Sequence, residues 1–144
     1  MRLSSPAFSA GETIPALYTC DGSDINPPLV IGGIPPGTAA LALVMDDPDS
    51  PGRTFVHWVA YDIEVSERLE EGSPAGTGGL NDFGRTDYGG PCPHSGEHRY
   101  VFQFYALDRK LGRGPGLNKE QLLAAIEGHI LARAELTGRY RRDR

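Results

Sequence analysis

Residues 41–63 read LALVMDDPDSPGRTFVHWVAYDI. Two apolar runs, LALVMD (41–46) and TFVHWVAYDI (54–63), flank a segment in which acids alternate with prolines. The first run is short and fits a buried strand. The second is β-branched and aromatic, so a strand is again predicted. The connection between them is unusual. Pro48 and Pro51 stiffen it, and Asp47 and Asp49 need solvent or a partner. His57 then stands in the second run where a valine would be the simpler strand residue.

Working outward, RYVFQFYALD (99–108) is a third strand of the same kind. Residues 15–40 are dense in Pro, Gly, Asn and Asp and read as loops with short strands. EGSPAGTGGLNDFGRTDYGGPCPHSGE (71–97) is a long glycine-rich connection, and long ordered loops tend to carry function. NKEQLLAAIEGHILARAEL (118–136) predicts a helix. Asn118 can cap it, Gln121 completes a capping box, and Leu122, Leu123, Ile126, Ile130 and Leu131 form a stripe at helical spacing. Gly128 would weaken such a helix by about 1 kcal/mol relative to alanine. His129 is assigned no role.

The 144 residues fit a single domain, 1–144, large enough to bury a core without staples. Nineteen glycines and 12 prolines favour strands and loops over a helical bundle. The net charge of −5 argues against nucleic-acid binding, which needs a cationic face. The four arginines of the C-terminal stretch GRYRRDR read as a solvated end or a partner contact. The N-terminus lacks a signal-peptide core and no run is long enough for membrane insertion, which places the chain in the cytoplasm. Cys20 and Cys92 have no zinc spacing. In a reducing compartment two free thiols are the default reading, with a disulfide as the open alternative.

Strand residues alternate faces. By that rule Asp47 shares a face with Leu41, Leu43 and Met45. His57 shares one with Phe55, Val59, Tyr61 and Ile63. Tyr100 shares one with Phe102 and Phe104, joined by His98 if the strand starts early. If the three strands pair, an acid, two imidazoles and a phenol converge at one rim, where each can satisfy another. Taken singly, each residue is ordinary: a strand histidine is commonly a satisfied core group and an Asp before Pro is commonly a turn former.

Stock sites fail. The Asp47-x-Asp49 stretch has Pro51 and Trp58 where a calcium loop needs oxygen ligands. There is no phosphate loop, nucleophile elbow or HExxH helix. Nothing in the sequence orients a Cys92–His98 thiol nucleophile. A metal site on His57, His94, His98 and Asp47 lacks a ligand pair at family-typical spacing. No metal and no cofactor is expected.

The segments PALYTCDGSDINPPL (15–29), DDPDSP (46–51), VHW (56–58), NDFGRTDYGGPCP (81–93), GEHRYVFQFYALD (96–108) and GHILARAELTGRY (128–140) occur in this order. Together they resemble the phosphatidylethanolamine-binding protein family, in particular its bacterial and archaeal branch of Raf kinase inhibitor-like proteins. The resemblance implies a mainly β fold, with a large antiparallel sheet packed on a smaller one and a helix near the C-terminus. It implies a small pocket for anions such as phosphate, acetate or a phospholipid head group. The implied pocket residues are Asp47, His57, His98 and Tyr100, with Asp49 and His94 in support and a wall at Gly90, Pro91 and Pro93. His94 stands where the family has a second proline, which adds an imidazole near the mouth.

The role implied is binding and regulation rather than catalysis, with a kinase or protease as protein partner and pairing into a homodimer. Two alternatives stay open: a serine protease inhibitor acting through a surface loop, and a hydrolase using the His/Asp set as acid and base. Chemically, the prolines are expected to aim Asp47 into the pocket, where its carboxylate fixes one imidazole. Both imidazoles, the Tyr100 hydroxyl and backbone N–H groups of the glycine-rich loop are expected to donate to the anion.

Overall fold

The computed structural model describes residues 1–142. The elements are β1 (Arg2–Ser4), β2 (Leu29–Gly32), β3 (Ala40–Asp47), β4 (Phe55–Ile63), β5 (Arg68–Leu69), β6 (Thr77–Gly78), β7 (Glu97–Leu107), α1 (Lys119–Ile126) and β8 (Ile130–Arg141). They form two sheets, ordered β1-β2-β5 and β6-β4-β3-β7-β8. Every strand pair is antiparallel. The three strands expected from sequence are β3, β4 and β7, adjacent in the larger sheet.

β3 lies at the centre, and all its side chains are buried. Its alternation supplies two cores. Leu41, Leu43 and Met45 join Trp58, Phe102 and Phe104, and the small-sheet residues Leu29 and Ile31. Ala42 and Val44 face the other way, against Val59, Tyr61 and the helix residues Leu122 and Ile126. The layers are therefore small sheet, large sheet, helix. Phe102 and Phe104 are fully buried; burying each stabilises the fold by roughly 2–3 kcal/mol.

Strict alternation fails in β4. Met45 pairs with Trp58 and Asp46 with Val56, so His57 is an extra residue in a bulge. A bulge lets consecutive side chains share a face. His57 accordingly lies on the side of Phe55, Trp58 and Ala60, and not with Val59 and Tyr61 as simple parity has it. A second shift, between Leu43–Ala60 and Leu41–Ile63, returns Ile63 to that side. Asp62 takes a left-handed φ of 50° there.

The helix is shorter than its sequence pattern. Asn118 and Gln121 close the expected capping box, at 2.8 and 2.9 Å. The helix ends at Ile126, and Gly128 turns the chain at φ 82°. Ile130 and Leu131, read as part of the helical stripe, belong instead to β8. β8 pairs along the whole of β7, from Leu107–Ile130 to Glu97–Arg141. The eleven-residue β7 needs partners for its backbone on both edges, and that tertiary demand overrides the helix propensity of ILARAEL.

Among the described residues, no helix is long and apolar enough to cross a membrane.

Candidate anion-binding cleft

The turn after β3 is built around Asp47. Its Oδ1 accepts the Asp49 N–H at 2.9 Å, a local side-chain-to-backbone bond that closes the turn. Asp49 in turn takes the Arg99 guanidinium on both oxygens, at 2.9 and 3.0 Å, and the Arg99 N–H at 2.8 Å. The hydrogen bond from Arg99 lowers the Asp49 carboxyl to about 2. This fork ties the acid–proline turn to β7. Asp49 therefore supports the site without lining it.

Asp47 Oδ2 accepts from His98 Nδ1 at 2.7 Å, and both side chains are nearly buried. β7 starts at Glu97, early enough to bring His98 onto the Tyr100 side, where the two rings stack at 6.5 Å. His57 is buried, and its Nδ1 meets the Gly89 carbonyl at 2.7 Å. Burial lowers the His57 pKa below its ordinary value, against the opposing pull of Gly89 and Asp47. The ring is therefore neutral near pH 7, with its proton on Nδ1 facing Gly89. Tyr100 is fully buried. Among the described residues its Oη has no hydrogen-bond partner of good geometry, although Asp47 and the Cys92 backbone lie nearby. Burial, and then the Asp47 charge, push this phenol far above its ordinary pKa, so it stays protonated.

These groups form the floor of a cleft of about 160 Å³. Asp47, His57, His98 and Tyr100 all line it, as expected from sequence. One wall is Cys92, Pro93, His94 and Ser95, and the rest of the lining includes Ser50, Pro51, Phe55 and Phe83. Gly90 and Pro91, expected in the wall, lie behind it. The Gly90 N–H donates to Asp24 Oδ1 at 2.8 Å, and Pro91 O accepts from the Cys20 N–H at 3.1 Å. A side chain at Gly90 would collide with the Tyr18 carbonyl, its Cβ 2.3 Å from the oxygen. The Gly89 N–H is also spent, on the His57 carbonyl. These two loop amides are therefore engaged within the protein and hold the loop together.

Two features of that loop escaped the sequence reading. Buried Asn81 donates to the carbonyls of His57 and Asp87 and accepts from the N–H groups of Phe83 and Arg85. It pins the loop to β4. Cys20 and Cys92, read by default as free thiols, form a disulfide across 72 residues. In the chain-entropy account a closed loop of that size stabilises the fold by roughly 4 kcal/mol. The bond also removes Cys92 as a candidate nucleophile. Phe55, at least, was visible as the neighbour two places before His57. Phe83 carried no signal, since a loop has no periodicity.

No group of three or more His, Cys, Asp or Glu among the described residues is arranged to hold a metal ion. His94 is exposed at the mouth.

A sequence profile of the phosphatidylethanolamine-binding protein family matches residues 4–141. A relative from Methanothermobacter thermautotrophicus, called UPF0098 protein, is 47% identical, with 99% of each chain covered. A UPF0098 protein of Aquifex aeolicus is 46% identical, covering 99% of this chain and 90% of its own. Among solved structures, a phosphatidylethanolamine-binding protein homologue from Chlamydia trachomatis superposes with a TM-score of 0.95 at 42% identity, covering 99% of this chain and 97% of its own. Escherichia coli YbcL, described as a member of the mammalian family, gives 0.89 at 27% identity, covering 99% and 98%. The shared two-sheet fold and a profile match over nearly the whole length lead to one conclusion: the chain belongs to the phosphatidylethanolamine-binding protein family.

Proposed function

We propose that the protein is a binding and regulatory member of this family, whose cleft receives a protonated phosphate group. The observation that carries this reading is the convergence of Asp47, His57, His98 and Tyr100 on one cleft, where each imidazole keeps its Nδ1 on a protein partner.

The histidines set the ligand's protonation. Both rings use Nδ1 within the protein, on Gly89 and on Asp47, leaving Nε2 for the cleft. With its proton on Nδ1, neutral His57 offers an acceptor at Nε2, not the donor expected from sequence. A phosphate monoanion supplies a P–OH for that acceptor and oxygens for Tyr100. The dianion of a phosphate monoester has no P–OH and would need the imidazole to take up a proton first, against the burial that disfavours it. Asp47 adds a fixed negative charge to the floor and weighs further against the dianion.

Among the described residues, neither imidazole has a hydroxyl or thiol as a hydrogen-bond partner. That favours binding over the hydrolytic alternative, which needs an activated nucleophile or water. No specific feature supports a protease-inhibiting loop over this reading.

Calorimetric titration with inorganic phosphate and with sulfate tests the proposal. Sulfate has the size and charge of the phosphate dianion but carries no proton. Phosphate is expected to bind at pH 6, more weakly at pH 8, and more tightly than sulfate throughout. Equal affinity for the two ions would contradict the protonated-ligand reading. Equal phosphate affinity in wild type and His98→Ala would remove His98 from the site.

A further inference from the structure

We infer that the Cys20–Cys92 bond is a redox modification site, opened by a dithiol that attacks Cys20 and expels Cys92 as a thiolate held by Arg142. Its consequence for the cleft rests on the phosphate reading: the reduced protein binds phosphate more weakly.

The two sulfurs differ in access. Cys20 lies in an exposed turn, whereas Cys92 is half-buried in the cleft wall. An incoming thiolate attacks the sulfur it can reach, and the other sulfur leaves.

They differ also in charge. Arg142 Nη1 donates to Cys92 Sγ at 3.5 Å, and the arginine side chain is only 15% exposed. Among the described residues its buried Nε has no acceptor. A disulfide sulfur is a weak, neutral acceptor. A thiolate in its place turns the contact into a charge-assisted hydrogen bond. The guanidinium therefore stabilises the reduced state more than the oxidised one, and thiols beside arginine ionise below their ordinary pKa of about 8.5. Asp21, 3.3 Å from Arg142 Nη2, offsets part of this charge, but at 35% exposure it is the better screened of the pair. The other titratable groups facing Cys92 are the Tyr100 phenol and the cleft residues Asp47, His57, His94 and His98.

The two segments are also clamped without the bond. The Cys20 N–H donates to Pro91 O at 3.1 Å, the Gly90 N–H to Asp24 Oδ1 at 2.8 Å, and the Tyr88 hydroxyl to Tyr18 O at 2.7 Å. These contacts keep the thiols within reach of each other after opening, so the change is local and reversible.

The exchange balances. One thiolate of the dithiol forms a mixed disulfide with Cys20 and releases the Cys92 thiolate. The second thiolate displaces Cys20, so the dithiol becomes a disulfide and two electrons pass to the protein. Exposed Cys20 takes up a proton, Cys92 stays ionised, and one proton is released to solvent. The new thiolate adds negative charge to the wall of a cleft that already holds Asp47, which repels an anion.

The test begins with wild type treated with reduced glutathione, a monothiol, quenched with iodoacetamide and mapped by mass spectrometry. Glutathione should lie on Cys20 and the alkyl group on Cys92. Glutathione on Cys92, or equally on both, would overturn the assignment. Reduction by dithiothreitol should be first order in dithiol, and about three- to tenfold slower in Arg142→Gln. A rate independent of dithiol concentration, or unchanged in Arg142→Gln, would also overturn it. In calorimetry at pH 7, inorganic phosphate should bind reduced wild type about threefold more weakly than the oxidised protein. Equal affinity would overturn the link to the cleft, whereas no binding to either form would remove the phosphate reading and leave the redox site intact.

Discussion

Asp46 and Asp47 are neighbours in β3, both nearly buried, and they face opposite sides of the large sheet. Asp46 points to the helix side and pairs with Lys119 at 2.6 Å, at the start of α1. Its other oxygen has no partner among the described residues. Asp47 points to the cleft side, and both its oxygens are used, by the Asp49 amide and by His98. One carboxylate fastens an element to the sheet. The other spends its hydrogen bonds on closing a turn and orienting an imidazole that lines a cleft. The chemical group is the same; the pleat decides its role.

The same contrast runs through the two faces. The helix side is a compact apolar layer with the Asp46–Lys119 ion pair at its edge. The cleft side carries two imidazoles, an unpaired phenol and a wall held by a disulfide. Its polar groups are held in place from several distant segments of the chain: residues 20–24, 47–49, 81–92 and 97–100. Substitutions on this side should therefore change ligand affinity, and those on the helix side should change stability alone.

The largest expected effect breaks the cleft wall from behind. Cys20→Ala with Cys92→Ala should lower unfolding stability in denaturant titration by about 2–4 kcal/mol. It should also weaken phosphate binding, because Cys92, Pro93, His94 and Ser95 form the wall. A full loss of stability with undiminished affinity would show that the wall does not depend on its staple.

Next comes the direct comparison of the two acids. Asp47→Asn keeps the shape but loses the charge that orients His98, and phosphate affinity should fall about tenfold, or about 1.4 kcal/mol. Asp46→Asn weakens a half-buried ion pair and should cost about 1 kcal/mol of stability, with affinity changed less than twofold. If both variants lose affinity equally, the assignment of the two faces fails.

The smallest effect is pH dependence. Burial holds the folded-state pKa of His57 below its ordinary value. The unfolded chain therefore takes up the His57 proton first as pH falls through about 6.5. The stability contributed by the neutral ring is complete above that pH and is lost as pH falls toward the folded-state pKa. His57→Gln should flatten the decline in unfolding midpoint below about pH 6.5, relative to wild type. A parallel decline in both proteins would contradict the assignment.

Much of this contrast was legible before the structure. The apolar runs at 41–46, 54–63 and 99–108 are adjacent strands of one sheet. Plain alternation placed Asp47 and Tyr100 on the correct side. It failed for His57, because a bulge inserts one residue and reverses the parity beyond it, and no residue type marks the spot. The span Ile130–Leu136 reads as helix because Ala, Leu, Arg and Glu favour one locally, while its strand state is imposed by β7. The inward run Ala132, Ala134, Leu136 is a period-two signal hidden within that composition. The Cys20–Cys92 bond joins residues 72 apart, and spacing alone cannot announce it. Loop residues such as Phe83 and Asn81 have no repeating pattern to read, so their places follow only from the folded chain.

The central claim is that both imidazoles turn Nε2 into the cleft to meet a phosphate. Two-bond ¹H–¹⁵N correlation of the histidine rings, followed through a phosphate titration at pH 6, tests it directly. The account predicts that free His57 is neutral with its proton on Nδ1, and that phosphate shifts the Nε2 signals of His57 and His98 while His129 stays still. Unmoved His57 and His98 signals at saturating phosphate, or a His57 proton on Nε2 in the free protein, would contradict it.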